Sequence, residues 1–531
     1  MTTESEMTYR ESRIYQRRWW TLAVVIVAVI AIGLDQTVLN VALPTLQREL
    51  GASASELIWM VDAYIVVFAA TLLVTGALGD RYGRAKAFYL GLIIFGLSSL
   101  GAAYSQTSGQ LIAARAVMGV SGALLMTSTL SIVTNVFPRE ERGRAIGVWA
   151  GVSAMGIFLG PVIGGALLEN FWWGSVFLIN VPVAAVALVA GFILVPDSKD
   201  ENAGAIDYPG FILSMAAISL LVYGIIEAPS RGWTDPAVLV TLIASLPLTI
   251  AFIWWELRAA NPLLDLRFFR NPRFSTGVAG TSLASFARLG AGFGLTQYLQ
   301  FVQGYSPLEA GVRMLPLVLG IAVGASFSDR LVKRMGTNWV VSGGLLLLAG
   351  GLAALVFWQT DTAYWIVGVN LFVIAFGVGN IMAPSTDAVM GAVPEEKAGV
   401  GSAMNGVARM VAGALGAAII GSLMYTIYGN MMTDAVAALP AQAAEAASDS
   451  VGAAIYLAET LPEPIGPALA NEAAAAFTDS FGWAILIGAG VALVAAVLVA
   501  LYMPPQHLEE SEAQALLEDP LSQAAIQTGT S

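Results

Sequence analysis

Three charged residues that stand inside apolar stretches are the candidates for chemistry in this sequence. Asp35, Asp62 and Arg115 each lie in a run of roughly 18 to 28 mostly apolar residues, the length of a helix that crosses a membrane. At about 1.5 Å per residue, all three lie about 6 to 12 Å below the same predicted membrane face. Charges at that depth are costly and usually face a partner or a cavity.

Two kinds of chemistry suit these charges. Burial disfavours the charged form of an aspartate, whereas a nearby arginine favours it. Movement of Arg115 toward or away from Asp35 would therefore load and release a proton; a permanent structural ion pair is the alternative. Asp62 fits either proton binding or recognition of a cation.

In the second half of the chain, Arg288 and Arg409 lie at membrane depth without equally deep acids. They would bind an anionic or zwitterionic substrate, or pair with the two aspartates.

The composition is that of a membrane protein built from helices. The 531-residue chain is 57% hydrophobic and 12% charged, about half the charge of a soluble protein. Lipid offers no partner to open backbone groups, which favours helices, and the sequence lacks the alternating segments of a β-barrel. With no cysteine and one histidine, His507, we expect no disulfide, metal or cofactor. The sequence has no nucleophile–histidine pair or phosphate loop, so an enzyme or sensor is a remote alternative, and we expect no nucleic-acid partner.

The hydrophobic runs predict fourteen spanning helices. Of the 25 Lys and Arg residues, 19 fall in segments that are cytoplasmic if the N-terminus is inside. This bias predicts that both termini are cytoplasmic. The segments 429–479 and 504–531 hold seven and five acids and no base, which accounts for the net charge of −12. The predicted spans are 20–43, 58–79, 87–104, 110–134, 145–168, 175–195, 209–227, 236–255, 274–302, 307–327, 339–358, 364–390, 400–428 and 480–503.

Two echoes in the sequence predict an internal repeat. Asp80-Arg81 recurs 249 residues later as Asp329-Arg330, and Pro138-Arg-Glu-Glu recurs 256 residues later as Pro394-Glu-Glu. Parallel repeats of this kind build transporters that bind their substrates between the halves. We expect segment 429–479 to form either short helices over the outer mouth or a flexible solvated loop. The predicted units are an N-terminal segment 1–18, a six-helix bundle 19–195, an inserted helix pair 196–273, a second six-helix bundle 274–503 and a cytoplasmic tail 504–531.

Several motifs resemble those of the major facilitator superfamily, and in particular its fourteen-helix drug:proton antiporters of the QacA/EmrB type. Gly76–Lys86 is similar to the family's loop signature, and Leu34–Pro44 resembles its first-span motif. Gly156–Gly165 is similar to the antiporter motif. Leu111–Gly119 is similar to the proton-linked arginine motif, with Met118 where the family often has glutamine. Spans 10 and 13 lack the acids that some of these proteins place there.

The resemblance implies an all-α membrane protein of two six-helix bundles and two inserted helices. It implies that Asp80, beside Arg81 and Arg84, forms a cytoplasmic latch between the halves; a simple topological anchor is the alternative. Glycines spaced by four in span 5 leave one face bare, which allows a sliding contact between the bundles; static packing is the alternative. The candidates are Asp35 and Arg115 for proton coupling; Asp62, Asn40, Arg288, Arg409, Tyr298 and Phe158 for the substrate cavity; Gly76, Asp80, Arg81, Gly83, Arg84, Asp329 and Arg330 for the latch; and Gly156, Gly160, Pro161, Gly164 and Gly165 for helix packing.

The expected function is proton-coupled efflux of hydrophobic, drug-like compounds across a bacterial cytoplasmic membrane by alternating access. The expected partners are protons, a small hydrophobic substrate and the lipid bilayer, and the protein is expected to be a monomer. Export of an amphipathic anion or a lipid-like metabolite is the alternative, motivated by Arg288 and Arg409.

Overall fold

The computed structural model describes residues 13–199, 206–260, 262–393 and 398–504. These residues form fourteen long helices joined by short turns and short helices. The helices are α1 (Arg13–Leu50), α2 (Ala54–Tyr82), α3 (Arg84–Ala103), α4 (Ser108–Val136), α5 (Arg139–Asn170), α6 (Asn180–Leu194), α7 (Tyr208–Arg231), α8 (Pro236–Glu256), α9 (Pro272–Gln297), α10 (Leu315–Met335), α11 (Thr337–Ala353), α12 (Tyr364–Gly391), α13 (Ala398–Met432) and α14 (Ile465–Tyr502).

Twelve spans within the described residues are long and apolar enough to cross a membrane. The other two long helices pack lengthwise on spanning ones, α5 on α1 and α9 on α13. The structure is therefore consistent with the predicted fourteen, and the exact number of crossings stays a prediction. We call the end that holds the α1–α2 turn the outer end, following the predicted orientation.

The helices assemble into two bundles with the same internal packing. In the first bundle, α1 packs on α5 and α6, α2 packs on α4, and α3 packs on α4 and α6. The second bundle repeats each of these contacts eight helices later: α9 packs on α13 and α14, α10 on α12, and α11 on α12 and α14. The predicted fold of two related bundles is confirmed. The domain boundaries proposed from the sequence stay predictions.

Corresponding positions of the two bundles lie 253 residues apart in the sequence, as the turns after α2 and α10 indicate. Gly83 ends α2 with φ +120°, and Gly336 ends α10 with φ +87°, backbone conformations that favour glycine. The same offset relates Gly160 to Gly413, which pack on α1 and α9 respectively. By this register, Asp329 lies one helical turn earlier than Asp80. The echo of 249 residues is thus displaced by four residues from the structural repeat.

The inserted helices α7 and α8 pack on each other, and α7 also contacts α2 and α13. The Ser422 hydroxyl of α13 donates to the Ile225 carbonyl of α7 at 2.8 Å. At the outer end, the Trp59 indole of α2 donates to the Glu227 carboxylate at 3.1 Å. The inserted pair is therefore fixed to both bundles.

The segment that precedes α14 is helical. It contains the short helices Ala441–Asp449 and Val451–Thr460, and α14 begins at Ile465, earlier than the predicted start of the last span. Of the two expectations for 429–479, the structure agrees with short helices. Ser450 begins the second of them by accepting a hydrogen bond from the Ala453 N–H at 3.3 Å, as an N-cap does.

Candidate functional site

The centre of the first bundle holds the ion pair predicted between α1 and α4. Arg115 Nη1 lies 2.5 Å from Asp35 Oδ2, and both side chains are buried. Arg115 Nε also donates to the Met60 carbonyl of α2 at 3.1 Å, and its guanidinium lies 4.5 Å from the centre of the Tyr64 ring. The arginine is therefore held by a charge, a backbone acceptor and an aromatic face, which suits its planar shape.

Asn180 of α6 extends this ion pair into a network across the bundle. Its Nδ2 lies 3.3 Å from Asp35 Oδ1 and 3.4 Å from the Ser99 hydroxyl of α3. Five of the six helices thus contribute to one buried polar cluster. Asn180 and Ser99 were not among the predicted site residues. The available signal was an amide two residues before Pro182 inside an apolar span.

Glycines explain how α4 comes close enough to α2 for Arg115 to reach the Met60 carbonyl. A methyl group added at Gly119, one turn after Arg115, would lie 2.6 Å from the Tyr64 carbonyl. One at Gly122 would lie 2.6 Å from the Tyr64 hydroxyl. Any side chain at these positions would push the two helices apart, because real methyl contacts are longer.

Asp62 is separate from the network, although the sequence places it at a similar depth. Its side chain is fully buried, and neither carboxylate oxygen has a hydrogen-bond partner in the described part of the chain. Ile58, one turn before Asp62 on α2, approaches Gly421 of α13, and Leu72, nearly three turns after Asp62, approaches Gly406. Asp62 therefore lies toward the contact between the bundles rather than toward Arg115.

A cavity of about 120 Å³ lies between the two bundles. The first bundle contributes Thr37 and Asn40 from α1 and Pro161 from α5, and the second bundle contributes residues of α9, α10 and α12. The lining is apolar except for Thr37, Asn40 and Arg288. A pocket with a mainly apolar lining and a few polar groups is the usual form of a small-molecule site.

Comparison with known proteins establishes what kind of protein has this architecture. A family model described as Major Facilitator Superfamily matches residues 25–417. The chain belongs to the Major Facilitator Superfamily. It is therefore a multi-pass membrane transporter rather than an enzyme, as the resemblance implied.

Relatives of this transporter align with more than nine-tenths of its length. It is 35% identical over 495 residues to the tetracenomycin C resistance and export protein of Streptomyces glaucescens, which covers 92% of this chain and 91% of the relative. It is 36% identical over 482 residues to the methyl viologen resistance protein SmvA of Salmonella typhimurium (91% and 97% covered). It is 33% identical over 505 residues to the multidrug efflux pump LfrA of Mycolicibacterium smegmatis (94% and 99% covered). The predicted kinship with drug-resistance members of the superfamily is confirmed.

Solved structures of the superfamily have the same fold. The crystal structure of a bacterial homolog to the human lysosomal transporter Spinster, in its inward-facing and unoccupied conformation, aligns with a TM-score of 0.66. The alignment covers 93% of this chain and 98% of that chain, at 17% sequence identity. At this identity, the likeness supports the fold alone.

Polar contacts join the bundles of this transporter at their outer ends. Gln300, in the π-helical turn after α9, donates to the Val41 carbonyl of α1 at 2.9 Å. The Asp449 carboxylate accepts a hydrogen bond from the Ala54 N–H, at the start of α2, at 2.9 Å. Ser450 is also hydrogen-bonded to Gln47 of α1. These contacts close the outer side of the cavity.

The glycines of α5 serve two different contacts, and one expectation needs correction. Gly156, Gly160 and Gly164 face α1 within their own bundle: a methyl group at Gly156 would lie 2.8 Å from the Ile30 carbonyl. Among the described side chains of the motif, the positions that follow Gly160 and Gly164 reach the second bundle. A methyl group at Gly165 would lie 2.5 Å from the Pro307 carbonyl, and the Pro161 carbonyl lies against Gly311. The contact between the bundles is thus made by Gly165 and Pro161, not by the bare face of glycines.

The turns at the end opposite to the outer end make local contacts. Asp80, near the end of α2, pairs with Arg84, the first residue of α3, at 2.8 Å, and Asp329 pairs with Lys333 one turn later in α10 at 2.8 Å. The α2–α3 turn also packs within the first bundle, where the Arg84 N–H donates to the Ser198 carbonyl at 2.8 Å. A latch between the halves, with Gly76, Arg81 and Arg330, stays a proposal for another conformation.

The remaining cavity candidates differ in position. Tyr298 is buried away from the cavity: its hydroxyl donates to the Gln359 carbonyl at 2.7 Å, and its ring packs 4.9 Å from that of Trp358. Arg409, on α13, lies near Arg288 without lining the cavity itself. Phe158 lies on α5, and its side chain falls outside the described part of the structure. Of the predicted cavity residues, the structure therefore brings Asn40 and Arg288 together.

Proposed function

We propose that this transporter exports hydrophobic, drug-like molecules across the bacterial cytoplasmic membrane in exchange for protons. The relatives named for resistance to, or export of, antibiotics and toxic compounds support the export of such molecules. The apolar cavity between the bundles supports a hydrophobic substrate. The buried pair of Asp35 and Arg115 is the observation that carries the proposal of proton coupling.

The proton step follows from the energetics of a buried ion pair. Each isolated charge costs several kcal/mol in a low-dielectric interior, roughly repaid while the two charges touch. If the bundle rearranges so that Arg115 moves away, the Asp35 carboxylate avoids that cost by taking up a proton. Return of Arg115 expels the proton. The ion pair connects α1 with α4, and α1 also lines the cavity through Thr37 and Asn40. Separation of Asp35 from Arg115 would therefore also change the shape of the cavity.

The driving force is adequate for export. One charge that crosses a potential of 100 mV releases about 2.3 kcal/mol. This free energy supports a concentration gradient of about 50-fold per proton. Asp62 is a further proposed proton site, because its buried carboxyl group has no partner in the described structure.

The test is transport in proteoliposomes that contain the purified full-length protein and a pH-sensitive dye. The compounds are tetracenomycin C, puromycin and methyl viologen, to which relatives are named as giving resistance. We expect transport of at least one compound to be accompanied by proton movement in the opposite direction across the membrane. In Asp35→Asn, which cannot exchange a proton at this position, we expect coupled proton movement to be lost while the protein still reconstitutes.

Asp361→Asn is the matched control, because Asp361 is an exposed aspartate in the turn before α12. It should transport like the wild type. Coupling that persists unchanged in Asp35→Asn would rule out this residue as the proton carrier, and transport that never responds to a proton gradient would rule out antiport.

A further inference from the structure

Two arginines near the cavity have no ion-pair partner among the described residues. Arg288 of α9 lines the cavity, and Arg409 of α13 lies one turn before Gly413, which packs against Leu289, the residue after Arg288. Within the described residues, neither guanidinium forms an ion pair or a hydrogen bond with another side chain. Arg288 lies nine residues before the end of α9, Arg409 lies eleven residues after the start of α13, and both side chains are partly buried. Two like charges without a partner are expensive at membrane depth.

None of the described acids forms an ion pair with Arg288 or Arg409. Asp35 points into the first bundle and is paired with Arg115. Asp62 is buried on α2 without an ion pair in the part of the chain that the structure describes. Asp387 of α12 lies near the end of its helix, four residues before the last residue, Gly391. None of the residues that line the cavity is an aspartate or a glutamate.

The cavity offers a matching set of groups for one kind of ligand. Arg288 faces it from the second bundle, and the amide of Asn40 faces it from the first bundle. Around these polar groups the lining is aliphatic, with side chains such as Leu295, Met314 and Ile374. An acid group bound by a guanidinium and an amide, with a hydrophobic body against the aliphatic wall, satisfies both parts of the lining.

We infer that the cavity selects amphipathic molecules that carry an acidic group, such as a carboxylate, with Arg288 binding the acid and Arg409 reinforcing the positive field. This inference names the substrate class of the proposed exporter and so rests on the proposed function. The acidic group of the substrate would supply the negative charge that Arg288 and Arg409 do not find among the described residues. Binding of the acid compensates the two positive charges.

Export of an acid would also change the number of charges that each transport cycle moves across the membrane. When an anion leaves and a proton enters, both movements are favoured by a membrane that is negative inside. Exchange of one monovalent anion for one proton therefore moves two charges per cycle in the same sense. The potential would then drive export more strongly than it drives exchange of a neutral molecule.

Three probes that share a naphthalene body and differ in charge test this inference. They are 2-naphthylacetate, its methyl ester and 2-naphthylethylamine. Binding to the purified full-length protein is measured by quenching of tryptophan fluorescence in nanodiscs of phosphatidylcholine, which lack anionic lipid. We expect the wild type to bind the acid about 10- to 100-fold more tightly than the ester, since a hydrogen bond to a charged group has about that value. The amine should bind more weakly than the ester, because the two arginines repel it.

The variants assign the effect to the two arginines. Arg288→Gln should lose most of the preference for the acid and leave binding of the ester unchanged, Arg409→Gln should lose part of it, and Arg288→Lys should retain part. Arg313→Gln is the matched control, because Arg313 has its own partner in Glu309, 3.7 Å away near the outer end. It should keep the preference of the wild type.

The outcomes separate this inference from the proposed function. Equal affinities of acid and ester in the wild type, a preference for the acid that survives in Arg288→Gln, or no binding of any probe would overturn it. Proton-coupled transport of the ester without any preference for the acid would leave the exporter intact and remove acid recognition. Strong binding of the acid that depends on Arg288, without transport in any gradient, would keep acid recognition and remove the exporter.

Discussion

The helices of the two bundles pack in the same way, but the charges inside the bundles differ in whether they have an ion-pair partner. In the first bundle, Arg115 and Asp35 neutralise each other inside a network that Asn180 completes. In the second bundle, Arg288 and Arg409 have no ion-pair partner in the described structure. The register of 253 residues that relates Gly83 to Gly336 also relates Asp35 to Arg288. Corresponding positions of the repeat thus carry opposite charges.

The opposite charges indicate which bundle performs which part of the transport cycle. By the same register, Arg115 corresponds to Gly368, so the second bundle has no charge where the first has its arginine. Asp35 is turned inward and sealed from the cavity, whereas Arg288 is turned toward it. We propose that the first bundle holds the proton and that the second recognises the substrate.

The largest effect is expected from breaking the ion pair in the first bundle. Arg115→Gln leaves the buried Asp35 carboxylate without its partner and should destabilise the protein by about 3–5 kcal/mol. The double variant Asp35→Asn/Arg115→Gln should recover much of that loss. Thermal unfolding in detergent measures both. In the second bundle, Arg288→Gln should be neutral or stabilising, because it removes an uncompensated charge. An equal loss in Arg115→Gln and Arg288→Gln would remove the distinction between the bundles.

A change where the bundles touch should alter the balance of conformations. Gly165→Ala places a methyl group against the Pro307 carbonyl, and overpacking of this kind costs about 1–3 kcal/mol. Because that contact joins the two bundles near their outer ends, we expect the cost to shift the population toward outer opening. Spin labels on Glu49→Cys and Glu459→Cys, two exposed outer positions, report the distance between the bundles; the chain has no other cysteine. Gly160→Ala, which crowds α1 inside one bundle, should lower stability without changing that distance.

Asp62 provides a second test within the first bundle, because its buried carboxyl group has no hydrogen-bond partner among the described residues. Asp62→Leu removes a buried carboxyl group without hydrogen bonds in the described structure and should stabilise the protein by about 1–2 kcal/mol. Asp35→Leu, by contrast, leaves Arg115 without its acid and should destabilise it. Thermal unfolding at the same pH compares the two variants. Destabilisation by Asp62→Leu would indicate that Asp62 has a partner after all.

The smallest expected effect is a pH dependence of the outer contact. Burial raises the pKa of Asp449, although the hydrogen bond from the Ala54 N–H acts in the opposite direction. A pKa that is higher in the closed form means that this form binds the proton more tightly. Closure should therefore be strongest below the ordinary pKa of an aspartate and weaken as pH rises through the raised value. The same spin-label distance, measured from pH 4 to about 8, should change less in Asp449→Asn than in the wild type.

Much of the fold was accessible from the sequence, because hydrophobic runs and the Lys/Arg bias depend on local composition. The pair of Asp35 and Arg115 was also predictable, since few charges interrupt those runs. The contribution of Asn180 was not, because a neutral amide is cheap enough to occur in many spans. The face of Asp62 and the partner of the α5 glycines depend on helix rotation. A position in the sequence gives depth along a helix, whereas rotation is decided by packing against neighbours.

The outer contact of Asp449 with the start of α2 has a practical consequence. This surface is composed of segments from both halves, Ala54 with Gln47 from one and Asp449 with Ser450 from the other. An antibody fragment whose epitope spans the joint would bind only while the halves are together. In the predicted orientation it would reach that epitope from outside the cell. It would therefore stop the transport cycle without having to enter the cytoplasm.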